Sequence, residues 1–416
     1  MLNNTSVAQT DYSPLSPQHQ GNPYEFYARA RKEYPVFYSP MLKLWIVTRY
    51  AEINQVLKDT SRFSSANSNL VDIEISPEVE AVLKEGYADM PRPSLVDNDP
   101  PGHTRVRSLV SSVLTPARIA ALEPHIYATA NALVDDWINS GCVDIISNFA
   151  SKLPLFIIGD FLGIPRQDIQ TVKKWCDDWL IILSGGAPVE QHVGCARSFV
   201  SLQHYVADIL KQCSINPQDD LLTGLLNASL EGEANLSTPE IISLVMQLLF
   251  AGHETTAHLI GNGVALLVQH PQQLEALRQN PSLAVNAVEE VIRFESPVPG
   301  LIRTTTEAVE LGGVQLPKSA RLQLLYASGN RDNIQFTEPE RFDIHRIPNG
   351  KHLAFGGGIH YCVGAALARL EGRIALEVLT QRLPNLRMVP NQEIAYVPSI
   401  IIRGLLKFLV EWDLRA

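Results

Sequence analysis

One cysteine in this chain sits where a cysteine can do chemistry. In Phe355-Gly-Gly-Gly-Ile-His-Tyr-Cys362-Val-Gly364, three consecutive glycines precede the thiol and an aromatic residue lies seven positions before it. Gly356 to Gly358 suit a tight turn or the close approach of something flat. The following run, Ala365 to Glu371, reads as a helix. Cys362 therefore precedes a helix N-terminus, whose exposed N–H groups favour thiolate over thiol. A thiolate held in such a loop is a soft, electron-rich ligand suited to an iron centre. The plain alternative is a small hydrophobe buried in a glycine turn, the usual fate of free cysteine.

A second window is Phe250-Ala251-Gly252-His253-Glu254-Thr255-Thr256-Ala257. An acid followed by two hydroxyls inside an apolar helix is expensive to bury without a task or a partner. A threonine there can bond back to the preceding turn and open the helix, and Gly252 eases such a distortion. The alternative is a partly exposed polar stripe. His253-Glu254 with His258 nearly spells a zinc-hydrolase motif, but the second histidine falls at i+5 rather than i+4, so the pair cannot share a helix face. His253 and His258 read as packing or surface residues. His103 and Arg107 share a helix face at i, i+4 and suit an anion, whereas Arg105 points elsewhere. Each alone could be a surface cation. Glu290 and Arg293 are three apart on a helix, close enough to interact, and Pro339-Glu-Arg341-Phe342 follows downstream.

These windows need elements to hold them. The spacing predicts a long helix from Thr238 to His270, opened by the capping-box run Ser237-Thr-Pro-Glu240 and closed at His270-Pro271. Two shorter helices follow, Gln272–Gln279 and Ser282–Phe294. From Thr104 to about Glu231 the pattern is mostly helical, broken at Thr115-Pro116, Gly141, Gly163-Ile-Pro165, Gly185-Gly186 and Asn216-Pro217. Pro35 to Thr48 reads as a β-hairpin, Glu307 to Leu325 as strand-rich, and Tyr396 to Trp412 as strand-like. Asn67 to Pro93 has no clear period and reads as a long loop with a short helix, and such loops are usually functional. Residues 1–20 read as a disordered tail, and residues 21–416 as a single, mainly α domain with a minor β region.

Composition narrows the class. Hydrophobic residues make up 45% of 416, enough for a large globular core. A net charge of -10 argues against a nucleic-acid partner. Five cysteines, Cys142, Cys176, Cys195, Cys213 and Cys362, form neither a disulfide framework nor a paired zinc site, which fits a reducing cytoplasm. The polar N-terminus has no basic start and no apolar block, so no signal peptide or membrane anchor is expected.

Taken together, the windows resemble the cytochrome P450 family, soluble bacterial class, from about Asn22 to Trp412. The cysteine window matches the family's Phe-x-x-Gly-x-His/Arg-x-Cys-x-Gly signature at Phe355, Gly358, His360, Cys362 and Gly364. The helix window matches its Ala/Gly-Gly-x-Asp/Glu-Thr-Thr pattern. Glu290, Arg293 and Arg341 resemble its structural Glu-x-x-Arg triad. His103 and Arg107 resemble the His-x-x-x-Arg of bacterial members, and Arg303 sits ten residues after Arg293.

The resemblance implies the P450 fold, with haem between the long central helix and the cysteine-loop helix. It implies heme b with Cys362 as the iron's thiolate ligand. His103, Arg107, Arg303 and His360 would hold the propionates, and Phe355 and Gly364 would shape the cofactor loop. Glu254 and Thr255 would deliver protons to dioxygen. Phe250, Ala251, Val298, Leu301, Ile400 and Ile401, with the Leu70–Leu95 loop, would touch a hydrophobic small-molecule substrate. The implied activity is monooxygenation: hydroxylation or epoxidation of a medium-sized lipophilic compound (polyketide or macrolide, terpenoid, steroid or fatty acid) in bacterial secondary metabolism. Electrons would come from NAD(P)H through a separate ferredoxin and ferredoxin reductase, docking on a basic patch that includes Arg105, Lys351 and Arg369. A cytoplasmic monomer is expected. The rivals are a peroxide-driven member of the family and a non-catalytic haem sensor or carrier. The intact Glu254–Thr255 pair argues against both.

Overall fold

The computed structural model describes residues 12–66, 68, 75–87, 95–184, 188–218, 221–231, 236–347 and 352–414. Helix accounts for 56% and strand for 9%, so the chain is mainly α, as its patterning predicts. It packs as two compact units. The first comprises residues 1–68, 123–153 and 255–416, and the second residues 69–122 and 154–254.

The first unit holds all the strands among the described residues: β1 (Val36–Ser39), β2 (Leu44–Val47), β3 (Phe63–Ser64), β4 (Cys142–Asp144), β5 (Leu301–Thr305), β6 (Val309–Leu311), β7 (Val314–Leu316), β8 (Arg321–Leu324), β9 (Arg387–Met388) and β10 (Leu409–Glu411). A five-stranded sheet runs β1-β2-β8-β5-β3. The expected hairpin is β1–β2, paired with Phe37 opposite Ile46, and β2 lies parallel to β8 with Ile46 opposite Gln323. One face of the sheet packs on the helix Tyr50–Lys58 through Val47, Leu322, Leu324, Ile53 and Val56. β6 and β7 form a second hairpin whose central residues, Gly312 and Gly313, both have positive φ, the primed turn that suits the right-handed strand twist.

The strand-like reading of the C-terminal segment holds for β10 and for an isolated antiparallel bridge between Tyr396 and Leu405, where Val397 N–H donates to the Gly404 carbonyl and Leu406 N–H to Ala395. Between them the run is irregular, and Arg403 N–H turns to the Pro297 carbonyl. A second correction concerns the N-terminus. Residues 1–11 lie outside the described residues, but the expected disordered tail does not extend to residue 20. Tyr12 is 1% exposed and stacks on Phe26 with ring centroids 5.1 Å apart. Pro17–Gly21 is helical, with Ser16 accepting from the His19 N–H at its N-cap.

The second unit is helical. Ile169–Ser184 and Val189–Ile215 pack side by side, with Trp179 stacked on Phe199 at 4.0 Å. Part of the predicted loop from Asn67 to Pro93 lies outside the described residues. Its described middle is the helix Pro77–Leu83, capped by Ser76.

The long central helix spans Thr238–Gln269, one residue short of its predicted end. The Ser237 N–H donates to Glu240 Oε2 at 2.8 Å, as the capping-box spacing implies. The boundary between the units falls within this helix, between Glu254 and Thr255. Past that point it packs on the helix Ala365–Arg382. A Cβ on Gly372 would lie 3.0 Å from Leu259 and 3.3 Å from Val288, so the missing side chain lets three helices meet closely.

Candidate active site

The cysteine loop is built on positive-φ glycine. Gly356 and Gly358 have φ of +69° and +61°. A Cβ on Gly358 would collide with the Leu57 carbonyl oxygen. The loop therefore lies against the end of the helix Tyr50–Lys58, and only glycine permits it. The Cys362 N–H donates to the Phe355 carbonyl at 2.9 Å, closing the loop, and Gly364 caps the helix Ala365–Arg382. Cys362 is exposed, as is Tyr361, and His360 is half-buried. A Cβ on Gly364 would sit 3.9 Å from Cys362 Sγ. The plain alternative for Cys362, a small buried hydrophobe, is thereby excluded.

A polar frame holds this loop. The Arg369 guanidinium lies 4.4 Å over the Phe355 ring, donates to Tyr361 Oη at 3.0 Å and pairs with Glu289 at 2.5 Å. Burial alone would raise the Glu289 pKa, but hydrogen bonds from His352 and Arg369 reverse this and hold it at about 2. Deeper in, Glu290 accepts from Arg293 Nε at 2.7 Å and Nη2 at 2.8 Å, and both side chains are nearly inaccessible. Arg293 Nη1 donates to the Asn330 carbonyl at 3.0 Å, and the Asn330 side chain accepts from the Leu353 N–H at 2.6 Å. The Leu353 carbonyl in turn accepts from the Gly356 N–H at 2.7 Å. A continuous path thus runs from the ion pair into the glycine turn.

The third member of this network is not Arg341. The Arg341 side chain is 58% exposed and pairs with Glu338. Only its backbone carbonyl joins, accepting from Arg293 and Arg346. Arg346 takes the place predicted for Arg341, with Nε 3.2 and 3.1 Å from the two Glu290 oxygens. Arg346 and Asn330 are the residues that sequence reasoning missed. Only the polar Asn330-Arg-Asp run hinted at the second.

Arg303, on β5, is 3% exposed. Its Nη1 donates to the Ile302 carbonyl at 2.7 Å, and among the described residues no carboxylate pairs with it. Beside it lies Tyr326, whose buried hydroxyl has no hydrogen-bond partner there and whose pKa is pushed up by burial. A buried cation without an anion is costly, so this position is built for an acidic group.

Val298, Leu301, Ile400 and Ile401 are all partly uncovered, while their neighbours Pro297, Pro299, Ile302 and Ile402 are buried. Hydrogen bonds and strand pairing join the segments that carry them. The Arg403 N–H bonds to the Pro297 carbonyl, Gln323 Nε2 donates to the Ile400 carbonyl at 3.0 Å, and Gln323 lies opposite Ile302 in the sheet. On the central helix, Phe250, Glu254 and Thr255 are partly uncovered and Ala251 is exposed, whereas His253, Thr256 and Ala257 are buried. The first four recur at the three- and four-residue spacing of one helix face. In the second unit, His103 is buried and Arg107 half-buried, one turn apart on the helix Gly102–Val113. Arg105 turns to Glu240, with which it forms an ion pair. The expected basic patch therefore has both its described arginines, Arg105 and Arg369, committed to carboxylates, and Lys351 lies outside the described residues.

Known proteins are similar to this chain in sequence and fold. Residues 190–394 match the family model described as Cytochrome P450. The chain is 38% identical over 392 residues to a Vitamin D(3) 25-hydroxylase of Pseudonocardia autotrophica, covering 92% of each chain. It is 34% identical over 387 residues to the 6-deoxyerythronolide B hydroxylase of Saccharopolyspora erythraea, covering 92% of this chain and 94% of the other. The chain belongs to the cytochrome P450 family. Among solved structures, P450BioI in complex with an acyl carrier protein ligated to hexadec-9Z-enoic acid superposes with a TM-score of 0.85 at 32% identity, over 95% of this chain and 99% of that one. This P450 is therefore a monooxygenase with the P450 fold, and the family implies a haem-thiolate iron. The residues present fit that group: an exposed cysteine at a helix N-terminus offers a thiolate, and the buried, anion-seeking Arg303 suits a propionate. Among the described residues no helix is long and apolar enough to cross a membrane.

Proposed function

We propose that this P450 hydroxylates or epoxidises a medium-sized lipophilic substrate of bacterial secondary metabolism: a polyketide or macrolide, terpenoid, steroid or fatty acid. The observation that carries this reading is the partial exposure of Val298, Leu301, Ile400 and Ile401. Four aliphatic side chains left partly uncovered on a hydrogen-bonded scaffold favour an apolar ligand. By the family pattern, Phe250 and Ala251 on the central helix are further substrate-contact candidates. The relatives' names agree in kind, since vitamin D(3), 6-deoxyerythronolide B and hexadec-9Z-enoic acid are all large and largely apolar.

When bound, the haem supplies the activation of dioxygen and the transfer of oxygen to carbon. The chain's part is to hold, orient and protonate. Cys362 would ligate the haem iron through its thiolate, and Phe355 and Gly364 would shape the loop around it. His103, Arg107, Arg303 and His360 would hold the propionates. Removing one partner of a buried ion pair costs about 3–5 kcal/mol. Arg303→Ala should therefore lower haem content on purification, whereas Arg105→Ala, tied to Glu240, should keep it. Equal haem content in the two variants would remove the propionate role of Arg303. Electrons come from NAD(P)H through a ferredoxin and its reductase, in the cytoplasm, to a monomeric enzyme.

Glu254 and Thr255 manage protons. In an apolar pocket, protons do not arrive by free diffusion of bulk water. Thr255 offers a hydroxyl on the uncovered helix face, and Glu254, one residue before it, is partly exposed and able to exchange with solvent. A positioned proton donor contributes about 10²–10⁴-fold. Thr255→Ala should bind substrate normally and still consume NAD(P)H, but divert much of the flux to hydrogen peroxide. Thr256→Ala should couple normally, because Thr256 is 3% exposed and turned into the protein. The measurement is product and peroxide per NAD(P)H oxidised, with dioxygen and a ferredoxin–reductase pair, against peroxide alone. Unchanged coupling in Thr255→Ala would show that the hydroxyl is not part of the relay. Faster turnover with peroxide alone would favour a peroxide-driven enzyme.

A further inference from the structure

The histidine and acid that failed as a zinc motif along the helix meet a third ligand from elsewhere. Asp177, on the helix Ile169–Ser184, places a carboxylate oxygen so that it, His253 Nε2 and a Glu254 oxygen all lie within 4.8 Å of one another. His253 is 2% exposed, and its Nδ1 is 2.8 Å from the Leu249 carbonyl oxygen. A carbonyl can only accept, so Nδ1 carries the hydrogen, and the neutral ring leaves Nε2 as a bare lone pair. Among the described residues Nε2 has no hydrogen-bond partner, and it faces Glu254 Oε2 at 3.5 Å. Two electron pairs thus point at each other inside the protein, with a third from Asp177 beside them.

We propose that Asp177, His253 and Glu254 form a binding site for a divalent transition-metal ion, Zn²⁺ above all. One neutral imidazole and two carboxylates suit such an ion in both charge and donor type. Zinc bonds of about 2.0–2.2 Å at tetrahedral angles hold ligand atoms roughly 3.4 Å apart. The His253–Glu254 separation of 3.5 Å already has that value. The bond from Nδ1–H to a backbone carbonyl is the outer contact that fixes the orientation of a metal-ligating histidine. Asp177 must close in by rotating, and its side chain is 46% exposed. It is held by Lys173, whose Nζ is 2.6 Å away. The metal would displace that ammonium, and a water would complete the tetrahedron. A bound ion would also occupy Glu254 and so slow turnover, a consequence that rests on the proton-handling reading of Glu254.

The test is isothermal titration of the haem-loaded enzyme with Zn²⁺ alone, paired with turnover. One saturable equivalent is expected. Asp177→Asn should weaken it by at least about tenfold, as loss of a ligand or of its supporting contact does. Lys173→Gln should tighten it, because the competing cation is gone, and damage to the fold would not produce a gain. Zn²⁺ should inhibit the parent enzyme, while Asp177→Asn, with unchanged basal turnover, should escape. No saturable binding, or equal affinity in the parent, Asp177→Asn and Lys173→Gln, overturns the site. Binding with the expected variant pattern but without inhibition leaves the site standing and counts against the role of Glu254 in proton delivery.

Discussion

Cys362→Ser protein, reduced under carbon monoxide, will lack the strongly red-shifted Soret band of a thiolate-ligated haem, and its monooxygenase turnover will fall to background. The expectation follows from the loop. Cys362 is exposed, precedes the first turn of Ala365–Arg382, and is fixed by its own N–H to the Phe355 carbonyl. Helix N-terminal amides stabilise the thiolate there. The other cysteines are placed for packing or lie away from this loop. Cys176, Cys195 and Cys213 are buried, and burial pushes the Cys176 thiol up to about 12. Cys142 is exposed at the start of β4. Alanine at any of these four positions should leave the spectrum intact. A thiolate band surviving in Cys362→Ser, or lost in one of the four controls, would reassign the ligand.

Arg293→Ala should destabilise the fold severely. It strands the Glu290 carboxylate, 2% exposed, with only Arg346 and the Asp343 N–H for company. Breaking a buried pair by removing one partner costs about 3–5 kcal/mol. Because the same guanidinium supports Asn330, and Asn330 supports Leu353 and the glycine turn, haem retention should fall with stability. Arg346→Ala should cost less, since Arg346 is 18% exposed and water can partly replace it. Arg341→Ala should stay within about 0.5 kcal/mol, as surface substitutions do. Chemical denaturation of the three variants, read alongside haem absorbance, gives the order. An Arg341→Ala variant as unstable as Arg346→Ala would return the third place in the network to Arg341.

Much of the site was legible in contiguous residues because its causes are local. A glycine at positive φ, a cysteine before a helix and a capping box each act within a few residues of chain. The Phe355–Gly364 loop and the start of the central helix could therefore be placed from the sequence, and so could the β1–β2 hairpin. The Glu290–Arg293 pair was legible for the same reason, being one helical turn apart.

What the tertiary structure decided were choices among equivalent residues and meetings between distant ones. Arg341 and Arg346 stand five apart in an irregular segment without periodicity, so no pattern shows which side chain turns inward. The path of the backbone past Glu290 does. Tyr12 reads as part of a polar tail until Phe26 and Phe37 are folded against it, when its ring gains more from burial than the segment loses in freedom. The apolar C-terminal run looks like strand, but among the described residues only Leu409–Glu411 joins a sheet, while Tyr396 and Leu405 form an isolated bridge and Arg403 turns its N–H to the Pro297 carbonyl. Asp177 carries no signal of its own. It becomes a neighbour of His253 and Glu254 only because two helices far apart in the chain pack together, and a contact across so long a loop depends on the whole fold that closes it.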